Sequence, residues 1–230
     1  MFPCFCKDGY VTVFDPNRKR NARGEQRQQD LLRAAALVFG RLGYHETTTN
    51  AIASKAGVSP ATLYQFFPNK DAIASALASS YAREMAEAER SIDPEEELDF
   101  TTAITELIDL CTSFNQKRPE FHTLVVDAPL APSAREDKKK LGQAFVNFIA
   151  ERLAKELPSL SHSEALHHGQ VALMIFRGIL DEFMISSPRA RPRLQQAMRT
   201  AILRYLLPVL LEENQPIVAR TSQKRGDRSL

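Results

Sequence analysis

The sequence predicts an all-α fold, on three observations. Apolar residues recur at helical spacing from Glu25 to about Leu211. No alternating apolar–polar run is long enough for a β-sheet. Nine Gly and no Trp in 230 residues argue against a turn-rich β fold. A hydrophobic content of 43% with 25% charged residues is that of a globular chain, and the length is ample for a buried core. The periodicity divides the chain into a flexible basic N-terminal arm (1–24), a compact three-helix unit (25–72), a larger helical domain (73–213) and a flexible tail (214–230).

In chain order, residues 1–24 mix Pro, Gly and Asn with a basic run, Arg18-Lys19-Arg20-Asn21-Ala22-Arg23, and carry no apolar stripe. The first helix is expected over 26–42, with Leu32, Ala35, Ala36, Phe39 and Leu42 on one face and Gly43 ending it. Thr47-Thr48-Thr49 supplies an N-cap for a short helix over 49–56, with Ile52, Ala53 and Ala56 inward. Gly57 makes a turn. Ser59 caps a third helix, 60–67, with Pro60 at its first position and Leu63 and Phe67 inward. Pro68-Asn69 breaks the chain before a fourth helix, 70–90, striped by Ile73, Leu77, Tyr81 and Met85. An acidic connection, Asp93–Glu97, leads to helices over 100–116 and 119–126. A loop over 128–133 precedes helices over 134–157, 164–185 and 192–211.

Two short helices joined by a small-residue turn form the helix-turn-helix pattern. Ala53 is small where the helices cross, Gly57 turns the chain, and Leu63 plugs the gap between them. The free face of the third helix then offers Pro60, Ala61, Thr62, Tyr64, Gln65 and Phe66. No Asp or Glu lies between Thr47 and Lys70, as a surface for phosphates requires. Charge is uneven along the chain. Residues 1–70 hold ten Lys/Arg against five Asp/Glu, and residues 71–115 hold two against eleven. A basic first section suits an anionic polymer, whereas the acidic stretch does not.

The run from Thr47 to Lys70, above all Ala56-Gly57-Val58-Ser59 followed by Leu63-Tyr64, Phe67 and Lys70, resembles the N-terminal domain of the tetracycline-repressor (TetR) family. Ala35, Phe39, Gly43 and Tyr44 resemble that family's first helix. The likeness covers about residues 26–77. Thr49 departs from it where an aliphatic residue is common, and Pro60 where a flexible or basic one often sits. The resemblance implies that Thr48 caps the second helix and holds a phosphate, and that Ser59 and Thr62 contact backbone or base edge. It implies that Tyr64 and Lys70 meet phosphates. Gln65 is the residue expected to read a base, since its amide pairs bidentately with adenine. The basic arm has the character of segments that enter a minor groove.

Helix 164–185 is apolar nearly all round and helix 192–211 carries a clean stripe, so one subunit cannot satisfy both. A four-helix interface between two copies is the expected remedy, and the resemblance implies the same homodimer. Two third helices related by a two-fold axis would read a palindromic operator on double-stranded DNA. The resemblance also implies a small-molecule effector pocket in the second domain. Its candidates are Phe114, Phe121, His122, Val125, Phe145, Phe148, Phe176 and Arg177, and so many Phe suit an apolar or aromatic effector. The expected function is that of a ligand-responsive repressor. The alternative is a constitutive DNA-binding or architectural protein without an effector, and an all-α enzyme is a third reading. Arg177 and Asp181, four apart, are expected to pair.

No metal site, cofactor or catalytic residue is expected. Cys4 and Cys6 lack partners and Cys111 is distant, while His167 and His168 are adjacent and diverge on a helix. Three sparse cysteines fit a reducing cytoplasm. Residues 1–16, holding Asp8 and Asp15, lack the pattern of a secretory signal, and no apolar run spans a bilayer.

Overall fold

The computed structural model describes residues 16–92 and 97–212, and these form nine α-helices with no strand among them. The helices are α1 (Pro16–Glu46), α2 (Thr49–Lys55), α3 (Pro60–Phe66), α4 (Lys70–Arg90) and α5 (Phe100–Lys117). They continue as α6 (Pro119–Asp127), α7 (Pro132–Glu156), α8 (His162–Ile185) and α9 (Arg191–Glu212). The expected arm at 1–15, the acidic stretch 93–96 and the tail from 213 lie outside the described residues.

Local chemistry explains most boundaries. Thr48, Ser59, Asn69 and Asp99 each accept a hydrogen bond from a backbone N–H of the helix they open. Ser161 and Glu164 close a reciprocal capping box that starts α8 two residues before the sequence expectation. Pro132 takes the first position of α7, inside the stretch expected to be a loop.

Two expectations for α1 are corrected. The backbone is helical from Pro16, so residues 16–24 continue α1 rather than forming part of a flexible arm. An established helix extends at the cost of one residue at a time, and Arg, Lys, Ala and Gln favour extension even without an apolar stripe. The buried face is also turned. Leu31, Ala34, Ala35, Val38 and Phe39 are buried, Leu32 and Ala36 are half-buried, and Leu42 is exposed. Gly43 interrupts the helix with φ 73° and ψ 175°, a backbone geometry that favours glycine.

The described residues form two large cores and a small cluster of Ala78, Leu130 and Ala134. The first joins α1–α4 around Phe39, Ile52, Leu63, Phe67 and Ile73, and it also takes Leu124 from α6. The second joins α4–α9 around Ile104, Leu107, Ile149, Leu153 and Phe183. Helices α4 and α6 belong to both. α4 gives Ile73 and Leu77 to the first and Met85 to the second, and α6 gives Leu124 to the first and Phe121 to the second. A hydrogen bond of 2.5 Å from the Tyr81 hydroxyl to Glu120 Oε1 ties the two helices together.

Helices α7 and α8 pack tightly at Gly169, where a Cβ would lie 2.5 Å from the Val146 carbonyl oxygen. Alanine's helix propensity would favour Gly169→Ala by about 1 kcal/mol. The overlap falls on a backbone oxygen that cannot swing aside, so strain of about 1–3 kcal/mol decides the sign. The melting temperature should fall by several degrees in a thermal melt, and an unchanged or raised value would contradict this packing.

Candidate nucleic-acid interface and effector cavity

The α2–α3 pair is held by contacts between its own residues. Ala53 and Leu63 are fully buried between the helices. Gly57 has φ 66° and turns the chain, while the Val58 N–H donates to the Ala53 carbonyl at 3.0 Å. The Ser59 side chain accepts from the Thr62 N–H at 3.1 Å, and the two hydroxyls lie 2.9 Å apart.

Among the residues expected at the DNA, Thr48, Ser59, Pro60, Ala61, Tyr64 and Gln65 are exposed. Thr62 is half-buried beside Ser59. Phe66 is corrected. It is half-buried and packed on the first core, because the rotation that buries Leu63 and Phe67 turns its ring inward as well. Lys70 already has partners, its ammonium donating to the carbonyls of Tyr44 (2.8 Å) and His45 (3.2 Å) and lying 4.3 Å from the centre of the Tyr44 ring. One of its three N–H groups remains for an anion.

Two neighbours of this surface escaped the sequence reading. Thr49 Oγ1 lies 3.0 Å from the Tyr64 hydroxyl, so the residue that departs from the aliphatic pattern links α2 to the exposed tyrosine of α3. The first carboxylate after the acid-free run, Asp71, accepts a hydrogen bond from the buried Tyr44 hydroxyl. Burial first, and Asp71 second, push that hydroxyl's pKa up to about 12.

In the second domain a cavity of about 270 Å³ lies among α4–α8. Six of the eight expected residues line it: Phe121, His122, Val125, Phe145, Phe176 and Arg177. Two are corrected. Phe114 stacks edge-on behind it against Tyr81 and Phe121, at centroid distances of 6.3 and 5.7 Å. Phe148, three residues beyond Phe145 and so turned by about 60° on the helix, faces a separate groove with the Arg152 guanidinium 5.2 Å from its ring. The expected Arg177–Asp181 pair does not form. Asp181 takes His122 at 2.9 Å, and the Arg177 guanidinium lies against Gly142, where a Cβ would come within 2.7 Å of it.

The polar groups of the cavity are unevenly placed. Lys138, whose ammonium donates to the Val125 carbonyl at 3.0 Å, lines it together with Arg177, His122 and Asp181. Burial, then the charge of Arg177, lowers the Lys138 pKa. Glu89 is only 5% exposed and also lines the cavity, and the Cys111 thiol donates to its Oε1 at 3.6 Å. Burial pushes the Glu89 pKa up to about 7, against smaller downward effects of Cys111 and Arg90. The folded chain therefore keeps a proton that the unfolded chain has released. This group's contribution to stability is present below about pH 4.5 and is lost as pH rises through about 7. The sequence carried a signal for it: the spacing of four in Ile73, Leu77, Tyr81 and Met85 continues to Glu89.

Comparison with known proteins places both halves of the chain. The family model for bacterial regulatory proteins of the tetR family matches residues 31–77. The model for the tetracyclin repressor-like C-terminal domain matches residues 99–206. Among curated proteins, the chain is 24% identical over 191 residues to the nucleoid occlusion factor SlmA of Photorhabdus laumondii, covering 80% of this chain and 95% of that one. Among solved structures, a tetR-family transcriptional regulator from Streptomyces coelicolor has the same fold (TM-score 0.68, 15% identity), with 89% of this chain and 90% of that chain covered. The transcriptional regulator FadR from Bacillus subtilis in complex with stearoyl-CoA also shares it (TM-score 0.56, 19% identity), with 77% and 96% covered.

Proposed function

The chain belongs to the TetR family and is a DNA-binding regulator; on that premise we propose that it is a homodimeric repressor of palindromic operators, released by a small apolar effector. The observation that carries the reading is the face of α3. It is exposed at Ala61, Tyr64 and Gln65, capped by Ser59, and free of carboxylates for the length of α2 and α3. Gln65 reads a base, Tyr64 and Lys70 hold phosphates, and the backbone N–H groups at Thr48 and Ser59 fix register.

The exposed apolar groups of α8 and α9 support the dimer. Met174 and Ile185 are 67% and 80% exposed in the single chain, and Leu211 is 69% exposed. A second copy packing α8 and α9 against their equivalents covers them. The apolar lining of the α4–α8 cavity supports the effector, and α6 supports its coupling to DNA. One face of α6 lines that cavity with Phe121 and Val125, and Leu124, turned about 60–100° from them, enters the core that holds α2 and α3. An effector changes DNA affinity only as far as it binds the two arrangements unequally. No helix of the described residues is long and apolar enough to cross a membrane, and the repressor reading places the protein in the cytoplasm without a catalytic role.

A second reading rests on the SlmA relatives, whose name describes nucleoid occlusion. It is a DNA-binding protein that takes no small molecule. Selection of bound sequences from random DNA tests the lead reading. The expected result is a two-fold symmetric site with half-sites about one helical turn apart or somewhat more. An asymmetric site, or a monomer on the DNA, would refute it.

A further inference from the structure

Glu89 sits in the wall of the α4–α8 cavity with one oxygen unused. Its carboxyl is nine-tenths buried, and Oε2 has no hydrogen-bond partner among the described residues. Oε1 has only the Cys111 thiol, a weak donor. The groups facing this carboxyl are few. Arg90 is on its own helix, Cys111 is on α5, and Arg152 of α7 lies along the groove on the other side of Glu89. The rest of the surrounding wall is apolar at Met85, Phe121, Phe145 and Phe176 and polar at Asn115 of α5, whose amide donates to the Cys111 carbonyl, and at His122, Lys138, Arg177 and Asp181.

A buried acceptor left unmet lowers stability, and a group that meets it recovers that loss. A wholly apolar occupant would leave Oε2 unmet. An occupant that placed a carboxylate there would set like charges together in a dry site. A donor, N–H or O–H, satisfies the ionised carboxylate that prevails above about pH 7, and a protonated amine adds charge attraction. Accepting the α4–α8 cavity as the effector site, we propose that Glu89 sets its specificity, and that the effector is an apolar molecule carrying a hydrogen-bond donor, an amine above all, placed against Glu89 Oε2.

Three probes with one common tail separate these cases: octylamine, octyl methyl ether and octanoate. Binding to the full chain is measured by calorimetry and thermal shift at about pH 8, where Glu89 is mostly ionised. Octylamine is expected to bind at least tenfold more tightly than the ether, and octanoate less tightly than either. Glu89→Leu should bring octylamine down to the level of the ether and leave the ether unweakened. Glu89→Gln, which keeps the shape and removes the charge, should move octylamine the same way and serves if the leucine variant fails to fold. The amine's advantage should shrink as pH falls below 7.

Preference for octanoate or the ether, or octylamine binding indifferent to Glu89, would overturn this assignment while leaving the cavity as an effector site. Failure of all three probes to bind the wild-type chain would overturn the effector site itself and the assignment with it.

Discussion

Gln65→Ala is expected to weaken operator binding by roughly thirty-fold or more and to relax base preference at one symmetric pair of positions. The size follows from the dimer. A bidentate amide–adenine contact contributes about 1–3 kcal/mol of discrimination, and each substitution removes it from both half-sites. The side chain is exposed on α3, and alanine favours helix, so the fold should be unaffected. Fluorescence anisotropy on the selected operator, and on operators changed at each position in turn, measures the effect. Tyr64→Phe serves as the contrast, because a lost phosphate contact weakens all sequences alike. Uniform weakening by Gln65→Ala, or none, would remove Gln65 from the reading role.

Leu124→Ala is expected to have the largest effect on stability, about 2–5 kcal/mol. In a chain of this size that lowers the melting temperature by roughly 4–20 °C. Leu124 is fully buried and is the α6 residue seated in the core of α1–α4. Truncating it leaves a hole between the two halves of the molecule. The same change should reduce the ability of a cavity ligand to alter DNA affinity, because α6 then presses less firmly on the DNA-binding unit. Thermal melts and ligand-dependent DNA release measure the two effects. A large loss of stability with coupling intact would assign the coupling to α4 alone.

What the sequence made legible was local. Thr48, Gly57, Ser59 and Pro60 act on neighbours within a few residues, so their spacing alone specified α2, the turn and α3. The fold class followed from periodicity in the same way. What stayed hidden depends on contacts distant in sequence. Lys70 meets carbonyls 25 and 26 residues earlier, and nothing in a lysine beside a helix start announces that. Phe114 and Phe121 are both buried aromatics, and only the packing of α5 against α6 decides which one reaches the cavity. Asp181 chose His122, 59 residues away, over an arginine four residues away. Glu89 was hidden for another reason: a search for apolar stripes stops at the last apolar residue, although the face itself continues.

In the proposed repressor, the grip of α4 on the end of α1 would set how movement reaches the DNA. Lys70 and Asp71, the first two residues of α4, both hold Tyr44 at the end of α1, so a shift of α4 would pull on the core that seats α2 and α3. Its other end, at Met85 and Glu89, forms part of the cavity wall. From Lys70 to Glu89 the helix is a rod of about 28 Å. Pivoted at the cavity, a tilt of about 5° displaces its far end by roughly 2.5 Å, and the twin subunit would do the same in the opposite sense. An occupant that moves the wall by a fraction of a side chain thereby changes the span between two reading heads by more than a hydrogen bond tolerates.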